Sequence, residues 1–459
     1  MSNGIDPAAA NPIRWRGFAA VVAGLFVIFN LNFREMGGVD TVPSTLLPAS
    51  LLSEGTTDLS GFRPLLQEAG LLDALFAFGS VQERQGRLVS SYPIGNALVV
   101  VPFYAIPVWS GWLGEWRDYE WMSKLSAALV VALSAGFVFL AAAQIAGGRP
   151  AFVLAFAYGL GTVAWTVASQ ALWQHGPGML CLAVAFFLAL RIESGAGRWA
   201  AAIAGAALGV AVICRSVNVI PAGAVGLFLL IHHRRHVIAF SLPLIACVTW
   251  LAWYNLATFD ELRGGYAAIF SSDWHGWRGL DADTAFTAPL GRGLANVLLS
   301  PGKGLLVYTP YLGFAVAALV PVCFARSFPL GRYLALSFAF LLILVAKLTL
   351  WWGGSSFGPR YLAEALPALT LVLAWLWPWI SARRWRLSLF TATLAYSVAV
   401  QSIGVFFTPC EWHHTPVYVD HHPERLWDWH DTQLERCLAV GLRDGPKSFE
   451  LLEPSATRR

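Results

Sequence analysis

Charge is what this chain most lacks. Only 13% of its 459 residues are Asp, Glu, Lys or Arg, against 57% hydrophobic, and the mean hydropathy is +0.58. So few charges cannot coat a soluble molecule of this size, and the balance is that of a multi-span membrane protein. The net charge of +4 is small and scattered, which argues against nucleic acid as a partner. Alternating short strands are missing as well. The apolar blocks run unalternated, so a closed barrel is excluded and an all-α polytopic bundle is expected. No Cys-x-x-Cys pair and no repeat of solenoid period occurs, and the sequence points to no definite cofactor.

What is present is long apolar blocks and aromatic rings. The 21 Trp, 29 Phe and 12 Tyr suit interfacial belts and a packed interior. A helix needs roughly 20 apolar residues to cross a hydrocarbon core of about 30 Å. The spans read as Phe18–Phe33, Trp121–Ile145, Ala151–Ala168, Pro177–Ile192, Trp199–Ile213, Ile220–Ile231, Val237–Phe259, Leu305–Phe324, Tyr333–Trp351, Leu362–Ile380 and Leu387–Phe407, about eleven transmembrane helices. The helices at Trp199 and Ile220 are short and are expected to extend toward each other through Arg215. Positive residues fall on alternate connections: Arg14 and Arg16, Arg149, Arg191 and Arg198, Arg234 and Arg235, Arg326 and Arg332, Arg383 to Arg386. The positive-inside rule then puts the N-terminus in the cytoplasm, and an odd span count exports the C-terminus. A cleaved signal peptide at the first run fits less well, since no small-x-small site follows it cleanly.

This topology divides the chain into a cytoplasmic N-terminus (1–17), a transmembrane domain (18–407) and an extracytoplasmic tail (408–459). A large first extracytoplasmic loop (34–120) carries amphipathic stretches at Leu46–Leu52 and Leu65–Phe78. It also holds an apolar piece, Ala97–Trp112, which Pro102 and Pro107 suit to the interface rather than to a straight span. A second such loop covers 260–304. Cys181, Cys214, Cys247 and Cys323 lie singly within spans as small buried thiols. Cys410 and Cys437 bracket the polar tail and, outside the cytoplasm, make a disulfide pair.

Polar residues collect on the outward side. Asp40 follows the first span in Gly37-Gly38-Val39-Asp40-Thr41, and Tyr92, Asp118, Glu120, His175, Arg215, Lys303 and Arg360 share that face. Ionisable groups at the edge of a membrane are costly, so a functional role is the default hypothesis. Each also has a plainer reading. Asp40 suits a helix cap before Thr41 and Pro43. His175 precedes Gly176-Pro177 at a helix start, and Lys303 sits in a glycine-rich turn that suits either a phosphate or simple chain reversal. Arg360 is expected to pair with Glu364, one helical turn on. Together, an acid, a histidine and several cations suit transfer of a sugar from a lipid-linked phosphate: cations hold the leaving phosphate and a carboxylate takes the acceptor's proton.

In these features the chain resembles the GT-C superfamily of membrane glycosyltransferases, and within it bacterial relatives of the protein O-mannosyltransferases and of the aminoarabinose transferase acting on lipid A. Those proteins place a catalytic aspartate directly after the first span, where Asp40 stands. Interface helices with a Pro-aromatic segment follow, matched here by Tyr92-Pro93 and Pro102-Phe103-Tyr104. Lys124 is nearest to a basic helix start before the second span, and Arg215 resembles a basic residue ending the fifth. Ser300-Pro301-Gly302-Lys303-Gly304 and Phe357-Gly358-Pro359-Arg360-Tyr361 are similar to stretches in bacterial members. Where the family opens its fourth span with a second acid, this chain has Gln174-His175-Gly176, and Asp118 and Glu120 are candidates for that role. The resemblance covers roughly residues 14–407. It implies a GT-C-like fold, a polyprenyl-phosphate-linked sugar donor, inversion at the anomeric carbon, and a lipid, glycan or protein acceptor outside the cytoplasm of a bacterium. Asp40 is then the general base, with Arg215, Lys303, Arg360, His175 and Tyr92 as donor-phosphate or acceptor contacts.

Two other classes compete. A transporter or lipid flippase accounts for polar groups in a bundle, but no repeat relates two halves of the chain. An assembly protein with a metal-binding tail rests on His413-His414, Asp420, His421-His422 and His430, although adjacent histidines diverge on regular backbone. Spacing leaves a divalent metal open in the enzyme reading too, since Asp118 and Glu120 suit ligands as well as an interfacial charged step.

Overall fold

The computed structural model describes residues 12–266, 269, 285–448 and 450–451. Parts of the expected N-terminus, second loop and tail therefore lie outside the described residues. Among the described residues helices dominate, and the regular strands are those of one small hairpin. Six helices among the described residues are long and apolar enough to cross a membrane: Trp116–Ala146, His175–Glu193, Arg234–Phe259, Pro329–Lys347, Arg360–Ser381 and Arg384–Phe407. Others in the bundle are shorter, so the expected count of eleven full spans is not reproduced by length.

Helix α6 (Trp116–Ala146) is the axis of the bundle. Its inner positions are small, including Ala128, Ala132, Ala135 and Gly136. Small side chains let neighbouring backbones approach closely where lipid supplies no hydrophobic drive. A Cβ on Gly136 would lie 2.6 Å from the Phe18 ring of α1 (Pro12–Asn30). Helices α1, α7 (Gly148–Leu160) and α8 (His175–Glu193) pack around this axis, and α9 (Arg198–Cys214) packs on α8. Helix α10 is Val219–His232, and α11 (Val237–Phe259), matching its sequence reading residue for residue, lies at the rim with most of its surface uncovered. After α12 (Leu290–Leu299) the chain continues through α13 (Pro329–Lys347), α14 (Leu366–Ser381), α15 (Arg384–Phe407) and the amphipathic tail helix α16 (Gln433–Asp444).

Two expected spans are broken, and one expected junction between spans is not made. Ala151–Ala168 ends its α-helix at Leu160 and resumes as a π turn at Ala164–Ala168. Leu305–Phe324 divides into short pieces over Leu305–Tyr308, Gly313–Ala317 and Leu319–Cys323. Arg215 does not join the helices on either side of it. It stands extended at φ −153°, ψ 124°, the cap between α9 and the turn Ser216–Asn218. Backbone breaks at membrane depth persist where they are buried in protein or line a cavity.

The first loop builds a second core of its own. Helix α2 (Val42–Ser53) packs on α5 (Gly95–Trp109), which stays helical through Pro102 and Pro107. Between them come α3 (Arg63–Glu68), α4 (Leu72–Ala77) and a hairpin, β1 (Val81–Arg84) and β2 (Arg87–Ser90), that sequence patterning missed. Its turn residues Gln85 and Gly86 both have positive φ, 51° and 75°, the backbone a two-residue hairpin loop demands.

Gly95 is where this loop meets the bundle: a Cβ there would lie 2.4 Å from the backbone nitrogen of Cys214, at the end of α9 beside Arg215. Overpacking of this kind costs about 1–3 kcal/mol. Gly95→Ala is therefore expected to lower the melting temperature of the purified protein, whereas Gly148→Ala, with open space around its Cβ, leaves it nearly unchanged.

Candidate active site

A cavity of about 980 Å³ lies between the first loop, the broken helices and the tail. Asp40 lines it. The carboxylate accepts a hydrogen bond from the Tyr92 hydroxyl at 2.9 Å, and its other oxygen lies 3.0 Å from Nη2 of Arg360. It is not a helix cap, because Thr41 occupies that position and makes no side-chain cap bond. The loop carrying Asp40 is instead pinned from outside the helix. The Gly38 carbonyl accepts from the Thr41 amide at 2.8 Å, the Met36 amide donates to the Gln170 carbonyl at 3.1 Å, and Trp173 Nε1 donates to the Met36 carbonyl at 3.2 Å. Burial raises the Tyr92 hydroxyl well above its ordinary range, and the neighbouring Asp40 adds to this, so Tyr92 stays a donor.

Arg360 lies over the Trp173 ring at 4.7 Å and beside the Tyr361 ring at 5.5 Å. The same Tyr361 ring has the Arg215 guanidinium at 5.8 Å on its account, so one aromatic side chain links two cations of the cavity. Arg215 Nη1 reaches both Glu364 oxygens at 2.7 Å, and His175 Nδ1 lies 3.0 Å from Glu364 Oε1. Glu364 therefore answers to Arg215 and His175, not to Arg360. The expected pair fails because residues Arg360–Ala365 form a 3₁₀ helix. At about three residues per turn, positions i and i+4 no longer share a face.

The structure thus brings Asp40, Tyr92, His175, Arg215 and Arg360 to one cavity. The remaining candidates lie elsewhere. Asp118 closes a capping box with Glu115 at the start of α6, and Glu120 accepts from Trp116 Nε1 at 3.2 Å; neither lines the cavity. Lys303 is buried behind the wall, its ammonium donating to the Ser356 carbonyl. The turn that carries it serves chain packing: the Gly302 amide donates to the Leu426 carbonyl and the Tyr308 hydroxyl to the Gly302 carbonyl. Cys410 and Cys437 are bonded, with Cα atoms 4.8 Å apart. No group of three or more His, Cys, Asp or Glu with metal-binding geometry occurs among the described residues, the tail histidines included.

Of the acids around the cavity, Glu35 escapes sequence reading and Glu364 is expected beside Arg360. Glu364 sits among apolar residues of the last third and was paired with the wrong arginine. Glu35 lines the cavity five positions before Asp40, accepting from the Gly37 amide at 2.8 Å and the Ser123 hydroxyl at 3.1 Å. Burial pushes its carboxyl up to about 7. Its signal was an acid beside Arg34 at the end of a span.

No family profile and no curated protein matches the chain by sequence. Solved structures do match in fold. The crystal structure of ArnT from Cupriavidus metallidurans bound to undecaprenyl phosphate superposes with a TM-score of 0.52 at 16% identity, over 87% of this chain and 66% of that one. The same protein in its apo state gives 0.51, also at 16%. The oligosaccharyltransferase of Archaeoglobus fulgidus, tethered with an acceptor peptide, gives 0.53 at 12%, over 91% of this chain and 59% of that one. The chain has a GT-C fold. It spans about two thirds or less of the length of these structures, and at such identities the GT-C likeness is one of architecture alone.

Glu364 is buried in full while Arg215 is slightly open to the cavity. Removing one partner of such a pair costs about 3–5 kcal/mol, whereas replacing both by apolar groups costs far less. Glu364→Ala should therefore lower the melting temperature strongly, and Arg215→Met combined with Glu364→Leu should recover part of that loss. Lys303 gives a pH test. Burial lowers its ammonium from 10.5 to about 7, with Arg360 acting in the same direction. Below about 7 both folded and unfolded chains carry the proton, and the fold bears the full cost of a buried charge. Between there and 10.5 only the unfolded chain holds it, so this contribution to stability grows with pH. Lys303→Met is expected to raise the melting temperature most below about pH 7, with the gain fading toward 10.5.

Proposed function

We propose that this protein transfers a sugar from a polyprenyl-phosphate carrier to an acceptor outside the cytoplasm, in a bacterial inner membrane with the N-terminus inside. The observation that carries the reading is the pairing of Asp40 with Arg360 in a cavity that also holds Arg215. Arg360 gives Nη2 to Asp40, but its Nε is buried with no hydrogen-bond partner among the described residues. A buried donor left so costs about 1–3 kcal/mol, and a phosphate oxygen would satisfy it. Two solved structures of similar fold hold ligands of these kinds, undecaprenyl phosphate in one and a tethered acceptor peptide in the other.

In this reading Arg360 and Arg215 hold the donor phosphate, and Tyr361 keeps the two guanidinium groups at a common surface. Asp40 takes the proton of the acceptor hydroxyl as its oxygen attacks the anomeric carbon from the face opposite the phosphate. The carbon–oxygen bond to phosphate breaks, its electron pair stays with the phosphate, and the configuration inverts. Guanidinium groups fixed by Asp40 and Glu364 need no reorganisation as that negative charge develops. Tyr92 orients the base through its hydroxyl, while His175 helps Glu364 hold Arg215.

General-base catalysis contributes about 10²–10⁴-fold. Asp40→Asn, which keeps shape and can still accept from Tyr92, should lower transfer from a polyprenyl-phosphate sugar in proteoliposomes by about that factor without a matching fall in melting temperature. Transfer near wild type in that variant rules out the base assignment. Flux of substrate without consumption of the lipid-linked donor would instead mark a transporter.

A further inference from the structure

The wall of the cavity facing the bundle and the wall supplied by the tail differ in charge and chemistry. Among the described residues, the arginines lining the cavity, Arg34, Arg215, Arg263 and Arg360, come from the loops and helices that precede the tail. Among the described residues, the tail brings no Lys or Arg to the lining; it brings Trp412, His413, His414, Tyr418 and Asp420, with Glu411 and Gln433. The described basic side chains of the tail have partners of their own: Arg425 and Arg436 both pair with Asp431, Arg443 pairs with Asp444, and Lys447 donates to the Pro409 carbonyl. Lys303 stands behind this wall and donates to the Ser356 carbonyl.

The rings of this wall form a cluster. His413 and His414 lie 5.0 and 4.9 Å from the Tyr418 ring, and 5.4 Å from each other. Asp420 fixes the cluster to the 350s loop, accepting from Trp352 Nε1 at 2.6 Å and lying 3.4 Å from His413 Nε2. His413 is 4% exposed, and its Nδ1 has no hydrogen-bond partner among the described residues. Burial lowers the His413 imidazole from its ordinary value, which keeps it neutral. Two imidazoles, a phenol and flat aromatic faces make up a surface for hydroxyl groups and C–H faces, with few precisely placed polar atoms among apolar ones. Carboxylates at Glu411 and Asp420 disfavour an anion there.

We propose that the tail wall is the acceptor subsite and that it takes a neutral, hydroxyl-bearing sugar rather than a phosphorylated headgroup. This rests on the transferase reading above, and it separates the two substrates by charge: the anionic donor on the arginine side, the uncharged acceptor on the tail side. The hydroxyl of that sugar gives its proton to Asp40, its oxygen bonds to the anomeric carbon, and the phosphate leaves toward the arginines. The disulfide Cys410–Cys437 ties the start of the tail to α16 and so holds the wall in place.

The test reads binding, not turnover. The full-length protein in nanodiscs, free of glycoside detergent, is titrated with methyl glycosides of glucose, galactose, mannose and N-acetylglucosamine, and with the 6-phosphates of the same sugars, by saturation-transfer difference NMR. At least one neutral glycoside should bind saturably and its 6-phosphate at least about tenfold more weakly. His413→Gln and Tyr418→Ala should each weaken the neutral ligand by about tenfold. The exposed His414→Ala serves as a third variant, and retention of the disulfide by intact mass shows that the tail still folds. Binding of the phosphate ester as tightly as the neutral sugar overturns the proposal, as does saturable binding unchanged in all three folded variants, or no binding of any neutral glycoside. Asp40→Asn should keep glycoside binding. Should Asp40→Asn retain transfer while the tail variants lose binding, the base assignment fails and the subsite stands.

Discussion

A carboxylate and a guanidinium held together in the wall of the central cavity are the constraint around which this molecule is arranged. Asp40 comes from the loop after the first helix and Arg360 from a 3₁₀ turn late in the chain, 3.0 Å apart. Neither charge is affordable alone in such surroundings. Pairing them ties the first loop to the last helices, and the ring contacts of Trp173 and Tyr361 with Arg360 draw in the segment before α8 as well. The Arg215–Glu364–His175 cluster repeats the arrangement one step deeper. Arg360 of the first pair and Glu364 of the second lie only four positions apart in the same turn, so the geometry of that turn determines which acid meets which base.

The irregular backbone around these pairs has a common cause. Arg215 ends α9 in an extended conformation, the π turn Ala164–Ala168 follows the end of α7, and the 3₁₀ turn precedes α14. A regular helix would commit the same residues to intrahelical bonds and turn their side chains along its surface. Breaks let side chains converge on a central space, and that space is where breaks can be tolerated in a membrane protein. The tail completes the enclosure. The Arg34 guanidinium bonds the Thr408 carbonyl and Glu450, and the Lys447 amide donates to the Phe406 carbonyl at 2.7 Å, so the tail closes back on both the first loop and the last span.

Much of the fold was legible in hydropathy. Helix α11 was read to its terminal residues, and long apolar helices such as α6 and α15 to within a few. Spans with internal breaks were not, because hydropathy averages over a turn and does not register a change from α to π or 3₁₀ geometry. Asp40, Tyr92, His175, Arg215 and Arg360 were identifiable because charge and polarity at a membrane edge stand out against an apolar background. Lys303 stood out for the same reason yet lies behind the wall, since a conspicuous residue in a glycine-rich turn serves packing as readily as a ligand. Glu364 was assigned to Arg360 on α-helical spacing that the 3₁₀ turn does not keep. Asp118 was offered as a second acid and is a capping residue, a role with the same sequence appearance. The tail wall shows in the sequence only as a histidine-rich stretch with a cysteine pair, because its rings become a surface only once the disulfide and Asp420 fold them together.

The proposed transfer depends on where a lipid-linked phosphate sits. An experimental structure of the protein in nanodiscs, with undecaprenyl phosphate added, measures this directly. The phosphate is predicted within hydrogen-bond distance of Arg360 Nε and of Arg215, with Asp40 facing the same space. A phosphate lodged instead in the turn around Lys303, or outside the cavity with both arginines unchanged, would contradict it.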